Sequence, residues 1–443
     1  MNGKAKRSGS QMFQEWFTRN DEEAGNQLTR DISDSTQVLN EEGLMDNGRG
    51  VLKETDSCCL SQELRIFIGT WNVGGRSPLG SLAVDLDEWL NLRNGADMYV
   101  LGFQEVVPLK TQNVIGVEDT RQAKNWNLLI AKALNYRYGC PWLAPMLNHI
   151  SSSPRAGSLK RERSRRTQDE NLFGESKYKL LASKKMVGVF LSVWIRNEVF
   201  RRFQVSDVKF CPVACGLMGY LGNKGSISIS LSIEGTSYCF ITAHLASGEK
   251  KGDEGKRNHQ VLEIFRRTRF PRSSRDETRP LTILAHDRIF WFGDLNYRLC
   301  MEDDLARRLV QRQDWKALQR FDQLRREQEE GGVFQGWTEG DIEFPPTYKY
   351  CSLNFDRYSG GLASRTGEKQ RTPAWCDRIL WNGKGVKQLS YSRSESRFSD
   401  HRPVSALFST HVEARKHESS RVTPMQNMLL DIVALEQADS DSS

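Results

Sequence analysis

The sequence predicts an α+β domain in which strands carry the chemistry at their ends. Apolar runs of strand length stop abruptly in polar residues, as in Arg288-Ile289-Phe290-Trp291-Phe292-Gly293-Asp294-Leu295-Asn296-Tyr297-Arg298, where an acid and an amide stand two residues apart. The octapeptide Ser226 to Ile233 alternates serine with aliphatic residues, the period-2 pattern of a strand with one wetter face in an antiparallel or mixed sheet. Between the strand runs lie helical stripes such as Trp126, Leu129, Ile130 and Leu134.

Composition sets the outer bounds. A chain of 443 residues with 38% hydrophobic and 27% charged residues suits a globular body with polar tails. Lys plus Arg number 63 against 56 for Asp plus Glu, and the formal charge of +7 suits an acidic substrate or an anionic surface without choosing between them. The nine cysteines are odd in number and lack paired zinc spacing, which favours a reduced intracellular setting. No opening segment has the pattern of a secretory signal, and no run of about 18 apolar residues would span a bilayer. Residues 1–62 are expected to be a mostly disordered extension, with the patch Met12 to Phe17 docking on its own domain.

The ordered domain is expected over 63–410. Leu64-Arg65-Ile66-Phe67-Ile68-Gly69-Thr70-Trp71-Asn72-Val73-Gly74-Gly75 opens it as a strand ending in an amide and glycines. A helix near Leu82 to Leu92 follows, then Met98 to Glu105, a strand with a carboxylate at its end. Residues 120–135 read as a helix whose stripe belongs to the core. Residues 151–175 turn to Ser, Arg and Lys, a solvated surface insertion whose basic run Leu159 to Arg166 also reads as a nuclear address, an anionic-membrane contact or a phosphorylation site.

Strands are expected at Tyr178 to Ser183, Val187 to Ile195, Ser226 to Ile233 and Ser237 to Leu245, the last placing His244 at a strand end. Gly219-Tyr220-Leu221-Gly222-Asn223-Lys224-Gly225 reads as a hairpin whose glycines allow close backbone approach and whose lysine suits an anion. Residues 249–270 form a charged helix carrying Arg257 and Asn258 early, and residues 302–330 are helical by pattern. Phe344 to Tyr350 is an extended, proline-set segment presenting a phenol and a lysine. Arg371 to Trp381 leads into a strand that begins at Asp377, and Asp400 stands beside His401 before a last strand, Val404 to Phe408. Residues 411–443 read as a polar tail with an apolar patch around Met428 to Leu435.

Each polar tip alone also reads as a satisfied turn residue. Together Asn72, Glu105, His244, Asp294 with Asn296, and Asp400 with His401 form the oxygen and imidazole set that phosphoryl transfer to water requires. A hard divalent ion such as Mg²⁺ takes one or two carboxylates and keeps several waters, with Glu105 as its principal ligand. An aspartate poised by an amide can accept the proton of attacking water, and Asp377 can orient His401 as buried carboxylates orient imidazoles.

Thr70-Trp71-Asn72-Val73, Gly102-Phe103-Gln104-Glu105, the hexapeptide from Gly293 to Arg298, Pro346-Thr347-Tyr348-Lys349-Tyr350, Pro373 to Leu380 and Ser399 to Val404 resemble the inositol polyphosphate 5-phosphatases, in that family's order. The resemblance spans about residues 64–410 and extends to the larger endonuclease/exonuclease/phosphatase superfamily. It implies a DNase I-like four-layer α/β/β/α sandwich, two packed mixed sheets flanked by helices, and Mg²⁺-dependent hydrolysis. The extension and the basic insertion resemble those of plant type I members.

By that resemblance Glu105 holds Mg²⁺ with Asn72, Asp294 activates water, and Asn296 supports the transition state. His401, paired to Asp377, and His244 contact the scissile phosphate, with Asp400 as a metal ligand or an acid beside it. Tyr348, Lys349 and Arg371 occupy the positions that recognise a neighbouring 4-phosphate, Lys224 meets a further phosphate, and Asn258 joins the substrate-binding set. The implied partners are inositol polyphosphates or phosphoinositide headgroups and, peripherally, an anionic membrane. A cytoplasmic monomer without a nucleic-acid partner is expected, with the nucleus open through the basic insertion. The rival readings are a nuclease or other phosphodiesterase on the same scaffold, which Tyr348, Lys349 and Arg371 argue against, and a catalytically idle phosphoinositide-binding scaffold. The 151–175 insertion and the 352–370 loop depart from the family pattern and leave headgroup preference open.

Overall fold

Strand periodicity dictates the stacking of this molecule. A computed structural model describes residues 60–78, 82–110, 113–114, 120–135, 176–216, 219–272, 280–351, 356–360 and 370–414. The patches at 12–17 and 428–435, the insertion 151–175 and most of the 352–370 loop lie outside the described residues.

In β1 (Leu60–Asn72), Leu64, Ile66 and Ile68 face one way, while Phe67 and Trp71 face the other. The same parity runs through β2 (Met98–Gln104), β7 (Thr236–His244) and β8 (Arg288–Asp294): Val100, Phe240, Phe290 and Phe292 join the first set in one central core. The opposite faces pack against helices. Phe67, Trp71 and Leu101 meet α1 (Leu82–Trp89) and α2 (Arg121–Asn135), whose Trp89, Trp126 and Ile130 are fully buried. On the far side, Ile241, Ile289 and Trp291 meet Val261, Ile264 and Phe265 of α4 (Asp253–Arg267). Because both faces of each sheet are covered, the architecture is a four-layer α/β/β/α sandwich.

One sheet contains β1, β2, β3 (Tyr178–Met186), β4 (Val189–Arg196), β11 (Val386–Arg393) and β12 (Val404–Ala414), in the order β11-β12-β1-β2-β4-β3. The other contains β5 (Val205–Ala214), β6 (Gly225–Ile233), β7, β8, β9 (Thr338–Glu339) and β10 (Asp377–Gly383), in the order β5-β6-β7-β8-β10-β9. Only the central pairs, β1 with β2 and β7 with β8, run parallel, so each sheet is mixed. α3 is Asn197–Arg202, between β4 and β5.

Several expectations need correction. The serine face of β6 is not wet: Ser226 and Ser228 are fully buried, α4 packs against the strand, and the Ser230 hydroxyl bonds His286 Nε2 at 2.8 Å. Residues 302–330 form three short helices, α5 (Asp303–Gln311), α6 (Trp315–Gln319) and α7 (Gln323–Glu329). The carboxylates of Asp314 and Asp322 accept from Ala317 N and Arg325 N at 3.0 Å each, restarting the helix twice as N-caps. β5 and β11 are edge strands with register shifts; the polar residues of β5 are half-buried and β11 exposes Lys387, Ser390 and Ser392, so no clean alternation announces either. β12 runs to Ala414, past the expected strand end at Phe408.

The two sheets approach closely at Gly102. A Cβ there would lie 2.2 Å from Thr242 Oγ1 and 2.6 Å from Phe292 Cε2, both on the facing sheet. Gly102→Ala therefore overpacks the centre of the sandwich and is expected to lower stability by about 1–3 kcal/mol in urea unfolding. An unchanged unfolding midpoint would show that the sheets separate there without cost.

Candidate active site

Strand register brings the polar tips together. β7 and β8 pair His244 with Asp294, and β8 and β10 pair Asp294 with Asp377, so three adjacent strands present three polar side chains in a row. All three share the parity of the central core residues Phe240, Phe292 and Ile379, and therefore face the opposite sheet. From that sheet Asn72 reaches across, its Nδ2 donating to Asp294 Oδ2 at 2.9 Å. Beneath them Gln104 Nε2 donates to Thr70 and Thr242, each at 3.2 Å, closing the floor.

Two residues reach the site through left-handed backbone. Glu105 follows the last residue of β2 and has φ +56°, which lets its Oε1 lie 3.5 Å from Asn72 Nδ2 and 3.9 Å from His244 Nε2. Asn296 has φ +57°, so strand geometry does not carry it onto the face of Asp294. Instead its backbone N–H donates to Asp294 Oδ1 at 3.2 Å, while its side chain donates to Leu245 O at 3.1 Å and accepts from Arg298 Nη2 at 2.6 Å. Gly293 has φ +145°, and a Cβ there would stand 2.0 Å from Ala243 O, so the neighbouring strand requires a glycine before the acid.

His401 completes the cluster. Its Nδ1 lies 2.9 Å from Asp377 Oδ2, which also accepts from Thr347 Oγ1 at 2.7 Å, and its Nε2 lies 3.9 Å from Asp294 Oδ2. Tyr348 covers the imidazole with ring centroids 4.5 Å apart, and the Arg298 guanidinium lies 4.6 Å from the tyrosine ring centroid. His244 Nε2 stands 3.2 Å from Asp294 Oδ2 and contacts Lys224 Nζ. Lys349 Nζ donates to Asp400 Oδ2 at 2.6 Å, and Arg371 Nε lies 3.7 Å from Glu249 Oε1. Asn258 is not brought to this cluster: it accepts from Tyr297 OH at 2.7 Å and donates to Glu327 Oε1 at 2.6 Å.

Burial and charge set the protonation states. Burial would raise the Asp294 carboxyl, but His401, His244 and Lys224 hold it well below the usual carboxylate range. Burial opposes the charge on His401, and Asp377 and Asp294 overcome it, pushing the imidazole up to about 9. His244 is driven the other way, by burial and then by Lys224, and is neutral at pH 7. Burial also brings Lys224 down to about 8 against the pull of Asp294 and Glu105.

The donor set fits a hard divalent cation. Asp294, Asp377 and His401 offer ligand atoms within 4.8 Å of one another, and the buried Asp377 Oδ1 has no hydrogen-bond partner among the described residues. Glu105 adds a partly exposed carboxylate beside Asn72. The Asn72 oxygen is occupied by Gly74 N at 3.0 Å, the Asp400 carboxylate by Lys349, and the Asp294 oxygens by Asn296 N and Asn72 Nδ2, whereas the contacts of Glu105 Oε1 with Asn72 and His244 lie at 3.5 and 3.9 Å, so Glu105 is the carboxylate best placed for a cation. Residue patterning passed over Gln104, Thr347 and Glu249. Parity with Gly102 would have found Gln104; Thr347 and Glu249 lie on irregular chain without such a signal.

Residues 69–407 match the model of the endonuclease/exonuclease/phosphatase family 2. Among curated proteins, the chain is 50% identical over 365 residues to type I inositol polyphosphate 5-phosphatase 8 of Arabidopsis thaliana, covering 82% of this chain and 74% of the relative. It is 44% identical to type I inositol polyphosphate 5-phosphatase 4 of the same organism, over 79% of this chain and 78% of the relative. Among solved structures it resembles the inositol polyphosphate 5-phosphatase domain of SPsynaptojanin in complex with inositol (1,4)-bisphosphate and calcium ion. The TM-score is 0.61 at 27% identity, covering 86% of this chain and 92% of that one.

The charge on His401 depends on its carboxylate partner. Asp377→Asn removes the strongest force holding the proton, so the imidazole pKa is expected to fall from about 9 by at least about one unit. NMR titration of the folded, metal-free variant checks this, and an unmoved titration would assign the elevated value to Asp294 alone.

Proposed function

The chain belongs to the inositol polyphosphate 5-phosphatases, and on that premise we propose that the cluster around Asp294 directs water at the 5-phosphate of inositol polyphosphates or of phosphoinositide headgroups. One observation carries this reading. A single buried carboxylate is surrounded by His244, the His401–Asp377 pair, and Asn72 from the opposite sheet. The bisphosphate bound to the SPsynaptojanin domain carries no 5-phosphate, which is the composition left when a 1,4,5-trisphosphate loses it.

Asp294 is the base for water. Alone it is too acidic for that task, because its cationic neighbours stabilise the anion. A bound phosphate changes the balance: His401 and Lys224 turn to its oxygens, and its negative charge raises the basicity of the carboxylate. The Asn296 N–H holds the other Asp294 oxygen and so fixes the direction of proton acceptance. His401, kept charged and oriented by Asp377, donates to the phosphate as negative charge builds on it. A divalent cation, Mg²⁺ on the oxygen chemistry of the site, would be held by Glu105 and would supply charge neutralisation at the phosphate.

Substrate reading falls to Lys349 and Arg371 at the 4-phosphate, with Tyr348 packed against His401. Inositol phosphates and lipid headgroups share this chemistry. The charge of +7 supports peripheral contact of a cytoplasmic enzyme with anionic membranes when the substrate is a lipid.

Phosphate release from inositol 1,4,5-trisphosphate and phosphatidylinositol 4,5-bisphosphate, and strand scission of abasic DNA, each with and without Mg²⁺, test the reading. Release from an inositol compound that stops without Mg²⁺ is expected; scission of the DNA with no release from either inositol compound would overturn it. Asp294→Asn should retain the fold and lower kcat by about 10²–10⁴. Lys349→Ala should raise KM by roughly tenfold on substrates with a 4-phosphate and leave those without one near their original value. Equal losses on both would remove Lys349 from recognition.

A further inference from the structure

The two substrate-reading cations stand on separate chain segments, and one guanidinium ties those segments together. Arg307 projects from α5. Its Nη2 donates to the carbonyl of Ser359 at 2.6 Å and to the carbonyl of Arg371 at 2.9 Å. Ser359 N–H in turn donates to Lys349 O at 2.8 Å. Arg307 therefore bonds the backbone of Arg371 directly and that of Lys349 through one residue.

The joint is built on both sides. Arg307 Nε donates to Asp303 Oδ2 at 2.8 Å, and the same oxygen accepts from Gln370 Nε2 at 2.6 Å. Asp303 lies one turn earlier on the helix, so a rigid element holds the guanidinium in place. At Gly360 (φ +94°) a Cβ would lie 2.8 Å from Gln370 Cα and 3.1 Å from Arg307 Nη2, so the two segments cross in close contact over the guanidinium. The planar guanidinium presents Nη2 to the two carbonyls and Nε to the carboxylate in one fixed geometry, whereas a lysine gathers its three donors on one nitrogen at the end of a flexible stem. The hydrogen bonds of Arg307 go to Asp303, Ser359 and Arg371 and not to side chains around Asp294.

We propose that Arg307 is a positioning residue that sets the spacing between Lys349 and Arg371, and thereby the preference for substrates with a phosphate beside the scissile one. This rests on the reading of those two cations given above. Loosening the joint misaligns recognition and leaves the reacting groups in place, so the effect belongs in KM and depends on the substrate.

The test uses the full chain with Mg²⁺, comparing inositol 1,4,5-trisphosphate with inositol 1,5-bisphosphate. Arg307→Lys is expected to raise KM for the trisphosphate about tenfold, to hold kcat within about twofold, and to change the bisphosphate little. Asp303→Asn, which weakens the guanidinium's anchor and keeps its shape, should show the same selectivity at smaller size and serves if Arg307→Lys does not fold. A rise shared by both substrates, a loss confined to kcat, or no change in a folded variant overturns the positioning role. Lys349→Ala is measured alongside. If it is selective and the Arg307 and Asp303 variants are not, the positioning role alone falls; if it is not selective, the recognition reading falls and takes this inference with it.

Discussion

The structure depends on keeping one carboxylate charged where water is nearly absent. Asp294 is 1% exposed, and an unpaired charge at that depth would cost several kcal/mol. Its compensation comes from three directions: His244 on the adjacent strand, His401 on the loop before β12, and Asn72 on the other sheet. The last contact links site to fold. Asn72 reaches Asp294 only because the sheets close tightly below it, where Gly102 faces Thr242 and Phe292, and Gln104 spans from Thr70 to Thr242. The same polar floor keeps the central apolar core from extending into the site, so the chemistry sits where hydrophobic packing ends.

How much of this was legible in the sequence follows from the period of each element. In a strand, residues two apart share a face, so the runs ending in Asn72, His244 and Asp294 declared their direction together with their core residues. Glu105 and Asn296 lie one and two positions beyond their strand ends, where left-handed backbone decides orientation, and no residue pattern announces φ near +57° at a glutamate. Asn258 read as a polar residue early in a helix, but its partners, Tyr297 and Glu327, come from distant chain segments. The apolar stripe over 302–330 hid two helix restarts, because stripe and cap are separate signals and only the stripe is periodic. The serine row of β6 misled for a related reason: alternation reports two unlike faces, and a face of small hydroxyls can be covered by a helix as readily as wetted.

The Asp294 cluster and the two cations proposed to read the substrate are held by different means. Asp294, His244 and Asp377 are fixed by ladder register across three neighbouring strands, the stiffest arrangement the fold offers. Lys349 and Arg371 lie on irregular chain whose geometry depends on side chains such as Arg307 and Asp303. Changes in the helix and loops can therefore reach Lys349 and Arg371 without crossing the ladder.

Charge pairing across the site also shapes how a polyanion binds. Three of the four cations proposed to meet substrate already have a protein carboxylate: Lys349 has Asp400, Arg371 has Glu249, and His401 has Asp377, while Lys224 contacts His244. Binding a phosphorylated ring is thus an exchange of anionic partners rather than the capture of an anion by vacant charge, and its free energy is a difference between two well-satisfied states. Discrimination among polyanions then rests on whether the incoming phosphates match the positions the carboxylates hold. A divalent cation near Glu105 fits this economy, since it compensates the carboxylates whose partners have turned to the substrate. On the proposed recognition roles, selectivity follows from the spacing of paired charges more than from their number, and that spacing is what the proposed Arg307 joint would set.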